Sequence, residues 1–180
     1  MTNLKFKQGG NFSVEFAIVG LFFGLMLVFS GDVIIKLSVK GKLDRLSFSL
    51  VNVLKERTQL YGEDYKIKPA EATSLQTIAE HSLGRTLGTF DNSKFGILVE
   101  ELTFSAIGAA NPLNPFPLGS QSCEVSKTLA ELAYLSVVTS WNRQASLYRV
   151  TLCYETDNWA GSLLGTDFTT VSSSSVMIGR

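Results

Sequence analysis

The sequence predicts an α+β chain: a long N-terminal helix, partly transmembrane, followed by a small domain with an antiparallel sheet. Three observations lead there. Residues 16–29 read FAIVGLFFGLMLVF without a charge. Apolar residues then recur at helical spacing from Val39 to Leu60. Two later stretches, 95–106 and 146–156, alternate side chains at the two-residue period of a strand.

Hydrophobic residues make up 45% of the chain and charged residues 18%, against roughly 25% charged in an average soluble protein. The apolar excess lies near the N-terminus. Counted from Phe12, the run reaches about the 20 residues that a bilayer core demands. Ser30 and Gly31 are tolerated in lipid, and Asp32 is followed by Val33, Ile34 and Ile35. The run is apolar on all sides, unlike a helix lying on a soluble core. Two ordinary readings are a cleaved secretory signal, with Lys5 and Lys7 as its basic region, and a plain single-span anchor. Glu15 counts against both. A carboxylate costs on the order of 2.5–3.5 kcal/mol at mid-membrane and less near the interface, and neither device gains from it.

Val39, Leu43, Leu46, Leu50, Val53, Arg57 and Leu60 step by four and three residues alternately, an apolar seam broken only by Arg57. A helix over residues 12–61 would be roughly 75 Å long at 1.5 Å per residue. Its first half would lie in lipid and its second against the domain or another helix. Gly62 is the expected stop, with Pro69 beyond it. Residues 72–87 read as a second helix with Leu75, Ile78, Ala79 and Leu83 on one side, and its His81 has no cluster around it. Residues 108–122, with Pro112, Pro115 and Pro117, read as loop. Residues 129–141 fit helix or strand. Residues 169–178, serine-rich and β-branched, form either a terminal edge strand or a mobile tail.

The formal net charge is zero, which leaves no electrostatic case for nucleic acid. One histidine and two cysteines supply little for a metal site, and no cofactor is expected. No nucleophile motif or phosphate loop stands out, so no enzyme is expected, although catalytic residues need not be close in sequence. Glu100 and Glu101 are adjacent and in a strand would point to opposite faces. They read as solvent-facing charge.

The N-terminus runs Lys5, Phe6, Lys7, Gln8, Gly9, Gly10, then Asn11, Phe12, Ser13, Val14, Glu15, Phe16. This resembles the type IV prepilins and pseudopilins, whose short basic leader ends in glycine and whose mature helix holds a glutamate at its fifth position. A cut between Gly10 and Asn11 makes Glu15 the fifth residue. A cut after Gly9 would make it the sixth, so the resemblance places the cut. An aromatic directly after the glutamate, here Phe16, is similar to pilins of the Tad (Flp, tight adherence) branch, which usually carry tyrosine there. The size of the chain and its segment from Tyr148 to Tyr154 resemble TadF more than TadE. The specific part of the match covers residues 5–35.

The resemblance implies a leader over 1–10, a transmembrane and extended helix over 11–61, and a periplasmic α+β domain over 62–180. It implies a single-pass protein of the inner membrane that helps initiate, assemble or anchor a pilus for secretion and cell adhesion. Its partners would be a prepilin peptidase, a sister pseudopilin, the major pilin and the inner-membrane assembly platform. Cleavage would expose an amine on Asn11, and Glu15 would pair with that amine in a neighbouring subunit or its own chain. Without that role, Glu15 sits among lipid headgroups. Gly20 and Gly24 form a Gly-x-x-x-Gly notch that either packs a helix or faces lipid. Lys36, Lys40, Lys42 and Arg45 outnumber Lys5 and Lys7, so charge bias alone favours the opposite orientation. Cys123 and Cys153 are an even pair in a domain that the resemblance places in an oxidising compartment. They read as a disulfide worth about 3–4 kcal/mol in the loop-entropy model, or as two separate buried thiols. The alternatives of other classes are a membrane-anchored periplasmic binding domain without a pilus role and a secreted enzyme.

Mass spectrometry of the mature N-terminus separates these readings. The expected start is Asn11, seen only in cells that contain the prepilin peptidase. A start at Met1 points to the plain anchor, and a start near Gly31 to the secreted protein.

Overall fold

One uninterrupted helix, α1 (Asn11–Lys55), makes up a quarter of the chain. The computed structural model describes residues 11–56, 66–159, 161, 165 and 169–179. No proline interrupts α1, and the Ser30 hydroxyl, at the end of the uncharged run, donates to Met26 O at 2.7 Å within the helix. The chain divides into two compact units. Residues before Lys36 belong to one, and Lys36–Asp157 with Thr169–Arg180 form the other.

From Lys36 onward α1 is amphipathic. Val39, Leu43, Ser47, Leu50, Val51 and Leu54 are buried, Leu46 is half-buried, and Val53 is exposed. The expected seam ran through Val53. A strict 3.5-residue repeat drifts by about 20° per heptad on a straight helix. After two heptads Val53 has turned outward, and Val51 and Leu54 take the core side. Arg57, Leu60, Tyr61 and Gly62 lie outside the described residues.

The second helix, α2 (Pro69–Thr86), begins earlier than its apolar pattern does. Proline is suited to a first helical turn, and the Glu71 carboxylate accepts the Lys68 N–H at 2.8 Å. Ala72, Leu75, Ala79 and Leu83 are its buried face, while Ile78, expected inside, is half exposed.

Among the described residues six strands follow: β1 (Phe95–Leu102), β2 (Phe104–Ala106), β3 (Ala109–Ala110), β4 (Asn114–Gly119), β5 (Leu147–Glu155) and β6 (Thr170–Ile178). Strands β2 and β3 pair with each other, and the other four form an antiparallel sheet in the order β4-β1-β5-β6. Strand β4 corrects the loop expected over 108–122. Its Pro115 and Pro117 lack N–H donors, which an edge strand tolerates because only one side is paired. Residues 129–141 are neither helix nor strand. They make turns, a 3-10 segment (Ala133–Leu135) and half of a small loop closed by a bridge between Val138 and Gln144.

The central strands β1 and β5 are buried on both faces. On the first face, Phe95, Ile97 and Val99 join Tyr148, Val150, Leu152 and Tyr154 against α1 and α2. The serines of β6 adapt its outer position to two neighbours. Ser173 and Ser175 share hydrogen bonds with Ser47 of α1, at 3.1 and 2.9 Å, and Ser174 bonds Thr151 on the other face at 3.0 Å. The terminal segment is thus an edge strand rather than a tail.

The second face is covered by the connection between β4 and β5. Leu129 packs on Leu102 and Leu147 in a small separate core. Cys123 and Cys153 form a disulfide with Cα atoms 5.5 Å apart, pinning this connection to β5. The contact requires Gly96: a Cβ there would stand 2.1 Å from Gln121 O and 2.9 Å from Cys153 Sγ. Glu100 and Glu101 do point to opposite faces, but neither is solvent-facing. Glu101 accepts the Ile67 N–H at 2.7 Å on the helix side. Glu100 pairs with Arg149 Nε on the other side, both buried. Covering both faces of the sheet turns what looked like surface charge into interior structure.

Removing one partner of a buried ion pair leaves an uncompensated charge and costs about 3–5 kcal/mol. Glu100→Ala is therefore expected to lower unfolding stability by about that much in urea titrations. The double variant Glu100→Leu with Arg149→Met is expected to recover most of the loss.

Candidate functional site

The candidate site is the first half of α1. Asn11 is its first described residue, and Gly10 lies outside the described residues, as do Lys5, Lys7 and Gly9. Glu15 and Phe16 follow within the first turns, and both are exposed. The Phe12 and Phe16 rings stack at 6.3 Å, the contact expected of residues four apart on a helix.

The thirteen large apolar side chains from Phe12 to Phe29 are all exposed, with Phe12 79%, Leu21 70% and Leu27 73% accessible. Each would gain about 1.5–3 kcal/mol by leaving water. Together that is on the order of 20 kcal/mol or more, which exceeds the total stability of a typical domain. Length and composition make this the one helix among the described residues able to cross a membrane. Gly20 and Gly24 fall four apart on its surface, and a Cβ added to either would meet nothing within 4 Å. Their notch is not filled by any described residue of the chain.

The four cations beyond the apolar run are partly committed to the domain. Lys40 Nζ donates to Ser172 O at 3.2 Å and lies 3.4 Å from the Asp44 carboxylate. Lys42 Nζ donates to Thr86 O at 2.7 Å. Among the described residues, no group of three or more His, Cys, Asp or Glu could hold a metal ion, and His81 is exposed on α2.

One surface feature escaped the sequence reading. Trp141 is 83% exposed and Tyr134 75%, with Val137 and Val138 also exposed. Trp141 sits in a turn closed by Asn142 N–H donating to Thr139 O at 3.0 Å. Asn142 has a positive φ of 57°, which asparagine tolerates better than most residues. That residue was the available turn signal, masked by the apolar character around it.

Because no described residue fills the notch, Gly20→Leu and Gly24→Leu are expected to leave thermal unfolding of the detergent-solubilised protein within about 0.5 kcal/mol of wild type. Any loss is expected only in cross-linking between transmembrane helices, where close approach needs small residues.

Comparison with known proteins gives one family. The family TadF, described as "Putative tight adherence pilin protein F", matches residues 3–180. No curated protein and no solved structure matches the chain.

Proposed function

The chain belongs to the TadF family of tight adherence pilin proteins, and from that premise we propose that it is a minor pilin, or pseudopilin, of a Tad (Flp) type IV pilus machine. The observation that carries this reading is the apolar first half of α1, which holds Glu15 among thirteen exposed apolar side chains. A prepilin peptidase removes residues 1–10 by cutting between Gly10 and Asn11. The remaining helix anchors the protein in the inner membrane, with the α+β domain in the periplasm, until the helix is drawn into contact with other subunits.

Glu15 gives that contact its register. The new amine of Asn11 lies about one helical turn away along a chain. An amine and a carboxylate that meet in a low-dielectric bundle offset each other's burial, whereas a subunit out of register leaves both uncompensated. Phe16 and the notch at Gly20 and Gly24 then set how closely neighbouring helices approach. The domain orientation agrees with the hydrogen bonds of Lys40 and Lys42, since these cations serve packing on the domain side. The Cys123–Cys153 disulfide suits the same compartment. The role is structural rather than catalytic: the protein helps initiate, assemble or anchor the pilus. Its partners are the peptidase, a sister pseudopilin, the major pilin and the assembly platform.

Glu15→Ala tests the central step. Leader cleavage, read by mass spectrometry, and domain melting are expected to be unchanged. Recovery of partner pilins by pull-down is expected to fall at least about tenfold. Recovery at the wild-type yield would refute the pairing role.

A further inference from the structure

The two edges of the four-stranded sheet are not alike. Antiparallel partners alternate between pairs that exchange both backbone hydrogen bonds and pairs that exchange none. Beside β4, Ser120 N–H donates to Phe95 O at 2.9 Å, in a pair that continues the β1–β4 register. Counting on from that bonded pair, Phe116 and Leu118 bond β1, whereas Pro115, Pro117 and Gly119 direct their backbone outward. Two of those three positions have no N–H, so this edge is closed to a further strand.

The other edge is open. Thr156 N–H donates to Thr169 O at 2.8 Å and Gly179 N–H to Ser146 O at 2.7 Å, in pairs that continue the β5–β6 register at its two ends. By the same alternation Val171, Ser173, Ser175 and Met177 bond β5, and Thr170, Ser172, Ser174, Val176 and Ile178 present N–H and C=O groups outward. Among the described residues, one bond meets these outward groups: Lys40 Nζ donates to Ser172 O at 3.2 Å. Its position agrees with the alternation. Proteins close exposed edges with charge, proline, bulges or brevity. Strand β6 has nine residues with no charge and no proline, and its register runs without a bulge. Thr170, Ser172 and Ser174 are exposed.

We propose that the outer edge of β6 accepts an extended, uncharged strand from a different protein chain, which becomes the fifth strand of the sheet. An extended backbone supplies donors and acceptors at the two-residue repeat of this edge. The charges beside the edge balance: Lys40 pairs with Asp44 at 3.4 Å, and Glu124 and Lys127 share the lining of the cavity beside β6. Neither an acidic nor a basic strand is therefore favoured. The serines at the centre of β6 suit threonine or serine opposite them, and Val176 to Ile178 suit aliphatic residues. A second copy of this chain fits poorly. Pairing β6 of one copy with β4 of the next meets Pro115 and Pro117. Pairing two β6 strands antiparallel needs a two-fold axis perpendicular to the sheet, and an axis along the strands would set donor against donor. The buried residues of α1 from Val39 to Leu54 lie along the sheet face, so the perpendicular axis would run the two α1 helices in opposite directions. Two anchors in one bilayer do not run so. The edge itself belongs to the globular unit and stands apart from the pilus reading; only the exclusion of a second copy uses the membrane anchor.

The test uses the full chain in lipid nanodiscs and hydrogen exchange read residue by residue. The probe is a nonapeptide of alternating threonine and valine with a lysine at each end for solubility, at millimolar concentration. In the free protein, the amides of Ser172, Ser174 and Val176 are expected to exchange fast and those of Ser173 and Ser175 slowly. The peptide is expected to slow the first set at least about tenfold. The same peptide N-methylated at alternate residues, which cannot donate, is expected to leave them unchanged, and this control leaves the protein untouched. Ser172→Pro, which removes one outward N–H as the prolines of β4 do, is expected to abolish the protection, while Ser172→Ala keeps it. Four results overturn the proposal: slow exchange at the outward amides of the free monomer, no slowing with the peptide, equal slowing with the N-methylated peptide, or slowing that follows protein concentration alone together with a dimer mass.

Discussion

The burial of α1 from Val39 to Leu54 against the first face of the sheet is the contact on which the domain depends. Five apolar residues of the helix enter that core: Val39, Leu43, Leu50, Val51 and Leu54. At roughly 2 kcal/mol each, their burial contributes about 10 kcal/mol as an upper figure. That is the scale of the whole stability of a domain. The second half of the helix is therefore a wall of the domain, not a stalk that ends where the domain begins. The same helix is apolar all round from Phe16 to Phe29 and amphipathic after Lys36, while its backbone stays helical throughout. The small Ser47 lets β6 come close enough for hydroxyls to meet, which explains why the last strand is built from serines.

Covering the second face of the sheet sets a different problem. The connection from β4 to β5 leaves most of its large apolar residues exposed, and its own core is small. It is held instead by directed links: a disulfide, an arginine that reaches the Lys127 carbonyl, and a glycine, Gly96, where its backbone meets that of β1. A buried ion pair adds less stability than apolar packing of the same volume.

Much of the architecture was open to reading because it rests on local pattern. Alternation in β1 and β5, the uncharged run of α1 and the cysteine pair each report a repeating or paired requirement of the chain itself. The misreadings came where two patterns competed. Prolines 115 and 117 signalled loop, but an edge strand accepts them. Val53 and Ile78 matched an apolar spacing, yet helical rotation put both outside. The candidate site was readable to the same extent: Glu15, Phe16, Gly20 and Gly24 stand out by contrast with an apolar background, whereas Trp141 and Tyr134 do not, since nothing local distinguishes an exposed ring from a buried one.

The sequence by itself determined the membrane-competent helix, the α+β class and the family-like N-terminus, because each depends on residue type at short spacing along one element. Only the tertiary structure decided which charges are interior. Glu100 and Arg149 are 49 residues apart, and their partnership follows from strand register. Burial is a property of what lies across the sheet, and no residue carries in its own neighbourhood the knowledge of which segment will cover it.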